Sequence, residues 1–150
     1  MTDLRHAEQM WAEDQASRAL GMEILDLARD HASVRMTISP AMVNGHANAH
    51  GGYLFTLADS AFSLACNSRG GPVVAAGADI IFIAAACLGD VLVATSTQRT
   101  VHGRRGLTAL QCPRHAAGAV IPHFPRPPRA PAHTALLAPV PRARSQRPRP

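Results

Sequence analysis

Apolar and polar positions along this chain change period from helix to strand and back. From Asp3 to about Arg18, Leu4, Ala7, Met10 and Trp11 recur at helical spacing, which predicts a short amphipathic helix. In GMEILDLARDHASVRMTIS two strand-like runs flank Arg29-Asp30-His31. In the second run Val34, Met36 and Ile38 alternate with Arg35 and Thr37, the period of a half-buried strand. From about Gly52 to Ser68, residues Leu54, Leu57, Ala58, Ala61, Phe62 and Ala65 recur every three or four positions and make one apolar helix face. After Gly70-Gly71-Pro72 the pattern is β again. VVAAGADIIFIAAA is one long apolar run, Leu88-Gly89-Asp90 a turn, and VLVATSTQRTV a strand. His102 to Gly106 is a further turn leading into Leu107 to Cys112. One long helix framed by antiparallel strands predicts an α+β fold.

Length and composition narrow the class. A chain of 150 residues fits one domain of ordinary size, and 47% hydrophobic content is enough for a core. With aromatics at only 4%, that core must be built from Ala, Val, Leu and Ile. No apolar run approaches the roughly 18 residues a membrane span requires, and the acidic N-terminus lacks a signal-peptide stretch. A soluble, cytoplasmic protein is expected. Cys66, Cys87 and Cys112 are odd in number, share no metal spacing and read as reduced thiols.

The net charge of +5 is unevenly spread. All ten acids lie at or before Asp90, whereas the residues after Leu110 hold seven arginines, no acid and ten of the twelve prolines. A nucleic-acid binder carries basic charge on its folded part. Here that part is mildly acidic, so nucleic acid and membrane are not expected partners. Proline removes a backbone donor and breaks helices and ladders. Two segments are therefore expected, a folded domain over 1–124 and a disordered Pro/Arg-rich tail over 125–150. A solvated extension, a partner-binding or nucleic-acid-binding segment and the product of a reading-frame slip are all consistent with that tail.

Candidate chemistry gathers around the long helix. Asp59 follows Phe55 by four residues and precedes Phe62 by three, so it shares a face with two aromatics. It is either an edge-of-stripe aspartate pointing to water or a base made more basic by apolar surroundings. Just upstream, His50-Gly51-Gly52 opens the helix, and the free amides of a glycine-rich helix N-terminus can hold an oxyanion. A base and an oxyanion hole together are what acyl hydrolysis needs.

Asn44, His50-Gly51-Gly52, LADSAF with Asp59, and Asn67-Ser68-Arg69-Gly70 closely resemble the hotdog-fold acyl-CoA thioesterases of the phenylacetate-degradation type. The resemblance runs from about Ala7 to Gly106. It implies a long central helix wrapped by an antiparallel sheet, acyl-CoA as substrate and no further cofactor. It also implies Asp59 as general base or nucleophile, and the Gly51 or Gly52 amide polarising the thioester carbonyl. Asn44 and His50 would shape the pocket, with Asn44 holding a water, and Gly77 would lie beside the site. The chain departs from the family's pattern after Gly106, where Pro113 interrupts one strand and Pro122 falls in the last strand-like run, GAVIPHF.

Helix geometry adds an independent expectation. Asp59 lies eight residues beyond Gly51, about 12 Å along a helix, while an oxyanion contact needs about 3 Å. Asp59 must therefore act with the Gly51 of a second subunit, in a homodimer or dimer-of-dimers with shared sites. Phe55, Phe62 and Tyr53 are candidates to line a pocket for an aromatic or medium-length acyl group, and core packing explains the phenylalanines equally well. Arg69 is a candidate for a CoA phosphate, with a solvated helix end as its plainer reading.

Other constellations fit less well. His46, His50 and Asp59 would hold a metal only if the histidines sat on a formed helix, and Gly45 and Gly51 argue for a loop, so no metal is expected. Cys66 lacks an adjacent histidine base, and Ser60 lacks a glycine elbow. A hotdog dehydratase would need a histidine base in the helix region, and none lies between Gly51 and Val101. A non-catalytic acyl-CoA-binding protein and the defective product of a frame-shifted thioesterase gene are the remaining readings.

Overall fold

The computed structural model describes residues 4–78, 80, 82, 84–102, 105–111, 114–115 and 135–139. In chain order these form α1 (Arg5–Glu13), α2 (Gln15–Ala19), β1 (Glu23–Ala28), β2 (His31–Thr37), α3 (Gly51–Asn67), β3 (Val73–Ala78), β4 (Val91–His102), β5 (Arg105–Gln111), β6 (Arg114–His115) and β7 (Ala135–Pro139), with a short 3-10 turn at Pro40–Met42. The strands make one antiparallel sheet in the order β1-β2-β4-β5-β7-β3, with β6 pairing β4 off that path. The fold is the α+β hotdog arrangement, a long helix packed on an antiparallel sheet.

The helix packs as its period demands. Leu57, Ala61, Leu64 and Ala65 are fully buried and share a core with Val34 and Met36 of β2 and Leu92 and Ala94 of β4. The alternation in β2 is the predicted one, Val34 and Met36 inward and Arg35 and Thr37 exposed, and it continues to Ile38 just past the strand end. Phe62 and Cys66 form a second small cluster with Val73.

Polar side chains fasten the C-terminal end of α3. Asn67, 2% exposed, donates to the carbonyls of Ser63 and Val73 and accepts the Val73 N–H, which holds the start of β3 to α3. Ser68 caps the C-terminus, donates to the Ala65 carbonyl and accepts the Asp30 N–H from the β1–β2 turn. Gly70 then turns the chain with φ of +86°, a region glycine enters without a Cβ penalty.

Three expectations are corrected. The N-terminal helix is not continuous to Arg18. Asp14 is extended at ψ 95° and caps a second helix, with its carboxylate accepting the Ser17 N–H. The apolar run after Pro72 is a strand only to Ala78, and Ile80 and Phe82 beyond it are exposed. Within the stretch expected to be disordered, Ala135–Pro139 is a strand that pairs with β3 and β5. Cys112, the strand-like run at 118–124, the boundary at 124 and the rest of 125–150 lie outside the described residues.

Candidate active site

The loop before α3 is built by its polar residues. The Asn44 side-chain oxygen accepts the N–H of His46 at 2.9 Å and of Asn48 at 3.3 Å, closing the loop on itself. The His50 N–H donates to the Met42 carbonyl, and the Ala49 N–H to the Ala86 carbonyl. These bonds aim the first turn of α3.

His50 is the N-cap, and its ring Nδ1 accepts the Gly52 N–H at 3.0 Å. A ring nitrogen that accepts is unprotonated, so the neutral imidazole carries its proton on Nε2. This separates the two glycines that the sequence left equivalent. The Gly52 amide is engaged by His50, while the Gly51 amide has no acceptor among the described residues. Gly51 therefore presents the free donor at the positive end of the helix. The Phe82 ring lies against Gly51. Phe82 carries no motif signal; its exposure, 54% for a phenylalanine, marks it only once the chain is folded.

Asp59 stands two turns further along α3. Its residue surface is open in the single chain, yet its carboxyl is partly desolvated. Burial first, and the Asp14 carboxylate second, push its pKa above the ordinary aspartate value. Asp59 lines an open pocket of about 650 Å³ between α1, α2, α3 and the start of β3. Asn44, His50, Gly51 and Gly52 do not line it. Within one chain, Asp59 and the Gly51 amide thus do not share a pocket.

The remaining candidates are dispersed. Phe55 is 39% exposed and outside the Asp59 pocket, Tyr53 packs partly buried against the core, and Phe62 is buried in it. Gly77 sits in β3 opposite Leu136, past a register shift, in open space. Arg69 is held by Asp30, with Nη2 2.9 Å from Oδ2 and Nε on Oδ1. That fork ties the helix end to the β1–β2 turn, where Asp30 has φ of 65°.

Known proteins share the family pattern and the fold of this chain. The thioesterase superfamily profile matches residues 46–105, which carry most of the loop, α3, β3 and β4. The acyl-coenzyme A thioesterase PaaI of Escherichia coli K12 is 42% identical over 95 residues, covering 63% of this chain and 68% of the relative. The solved structure of the E. coli PaaI protein from the phenylacetic acid degradation operon superposes with a TM-score of 0.73 at 32% identity, over 89% of this chain and 86% of that one. A variant of the phenylacetic acid degradation protein PaaI from Thermus thermophilus superposes with a TM-score of 0.70 at 27% identity, over 85% and 100%.

Proposed function

This chain belongs to the thioesterase superfamily, and from that premise we propose that it hydrolyses acyl-CoA thioesters, with aromatic (phenylacetyl-type) or medium-length acyl groups, to the free acid and CoA. The observation that carries the reading is Asp59, a carboxylate with a raised pKa opening into a pocket on the central helix. A base works best with a pKa nearer the operating pH, and desolvation moves Asp59 that way.

The steps follow from the donors and acceptors. Asp59 takes a proton from water, whose oxygen attacks the thioester carbonyl. The carbonyl oxygen becomes an oxyanion and accepts a hydrogen bond from the Gly51 N–H of a second protomer. Collapse of the intermediate breaks the C–S bond, and the CoA thiolate receives the proton from Asp59. The raised pKa favours Asp59 as base, because a carboxylate that holds a proton more firmly takes one from water more readily. His50 fixes the geometry by engaging Gly52, which leaves Gly51 as the donor.

Support for a homodimer or dimer-of-dimers comes from the separation of Asp59 and Gly51, about 12 Å along one helix. Among the described residues no helix is long and apolar enough to cross a membrane. Cys87 is an exposed free thiol, which suits a reducing cytoplasm. The test is Asp59→Asn assayed on several acyl-CoAs. Turnover should fall by about 10²-fold or more with binding retained; unchanged turnover overturns the proposal.

A further inference from the structure

The Asp59 pocket must receive one of the two halves of a thioester, and its walls decide which. On one side stand Met10 and Trp11 of α1, on the other Val73 and Val74 of β3, all apolar. The ionisable residues that line it besides Asp59 are His6 and Glu13 of α1 and Asp14 at the head of α2; α3 contributes no other and β3 none. No arginine lines it among the described residues. CoA carries phosphates, which acidic walls repel. The acyl group is apolar and finds apolar surface here.

The wall is also fixed in place. Ser17, 1% exposed, places its Oγ 2.6 Å from Asp14 Oδ2 and 2.8 Å from Ser60 Oγ. Ser17 has one hydroxyl proton, which it donates to the carboxylate, so Ser60 donates to Ser17. This chain of bonds latches the α1–α2 pair to α3 at the residue next to Asp59. A wall so held can discriminate shapes, because it does not simply yield to a larger group.

We propose that this pocket is the acyl site, and that Trp11 is its specificity-determining residue, favouring aromatic acyl groups that stack on the indole. The inference rests on Asp59 acting on the thioester carbonyl, since that places the acyl group within reach of the α1 wall. Trp prefers offset or edge contacts with another ring, and a short acyl group cannot make them.

Trp11 is the only tryptophan in the chain, so it reports on its own pocket. The first arm uses full-length Asp59→Asn, whose turnover should be about 10²-fold slower, titrated with phenylacetyl-CoA and with CoA alone while calorimetry follows binding. Tryptophan emission should change with phenylacetyl-CoA and not with CoA. Saturation by phenylacetyl-CoA with unchanged emission overturns the proposal, even if Trp11 variants fail to fold. The second arm compares kcat/KM for phenylacetyl-CoA and acetyl-CoA. Trp11→Ala should lower that ratio by about 10-fold, mainly through KM for phenylacetyl-CoA, and Trp11→Phe should restore most of it. An unchanged ratio in an enzyme that still hydrolyses both substrates overturns the pocket assignment alone. A wild type that neither binds nor hydrolyses any acyl-CoA overturns the thioesterase reading, and the inference with it.

Discussion

The Phe82 ring occupies the space where a side chain on Gly51 would begin: a Cβ there would stand 3.0 Å from the ring's Cζ. Gly51 does not have a positive φ, so backbone freedom is not what this position needs. It needs the absence of a side chain, which lets an aromatic ring lie against the first residue of α3.

That contact predicts coupling. Gly51→Ala should displace the ring and lower kcat/KM, whereas in a Phe82→Ala background the same change should cost less. A double-mutant cycle on kcat/KM should give a coupling of about 1 kcal/mol. Simple additivity would show that the ring and the amide act independently.

Asp59 should make activity and stability depend on pH in opposite senses. Its pKa is raised by burial and then by Asp14. The base works deprotonated, so kcat/KM should fall as pH drops through a value above that of an ordinary aspartate. Asp14→Asn keeps an acceptor for Ser17 and removes the charge, and should move that acid limb to lower pH. For stability, a raised folded-state pKa means a contribution fully present below the unfolded pKa and lost as pH rises through the folded one. Asp59→Asn should therefore melt no lower than wild type at neutral pH, and the advantage should vanish in acid. Parallel rate and thermal-melt profiles check both signs.

Much of this was legible because it rests on period and on chain-local chemistry. The face of α3, the alternation of β2 and the His50-Gly51-Gly52 helix start are patterns within a few residues. What was not legible depends on other parts of the chain. A continuous apolar run such as VVAAGADIIFIAAA has no period to show that its strand ends at Ala78. Asp14 looks like any acid on a helical stretch until its carboxylate is seen accepting the Ser17 N–H. Trp11 reads as a core residue of an amphipathic helix, and only the packing of α1 beside α3 places it in the Asp59 pocket. Phe82 reaches Gly51 across thirty-one positions of sequence, a pairing that no local motif encodes.

Arg69 is committed to Asp30 and should behave as a structural residue. Arg69→Gln should leave KM for acyl-CoA within about twofold, because a guanidinium already held by a carboxylate fork has little left for a phosphate. Stability should fall by about 1 kcal/mol or less, since both partners are partly solvated. A large rise in KM measured against CoA-containing substrates would instead return Arg69 to the binding site.

The separation of base and amide gives the sharpest test of assembly. Asp59→Asn removes the base from a protomer and leaves its Gly51 amide. Gly51→Val keeps the base and places a branched side chain where the Phe82 ring lies, which disables the amide. Neither homodimer has an intact site. In a mixed dimer, the Gly51 of the first protomer meets the Asp59 of the second, so one site is whole and the other lacks both parts. After subunit exchange in an equal mixture, half the dimers should be mixed and half their sites competent, so activity should return to about a quarter of wild type. Mass spectrometry of differently tagged protomers verifies exchange. Exchange without any return of activity would mean that Asp59 works with an oxyanion donor of its own chain, and the two-chain site would have to be abandoned.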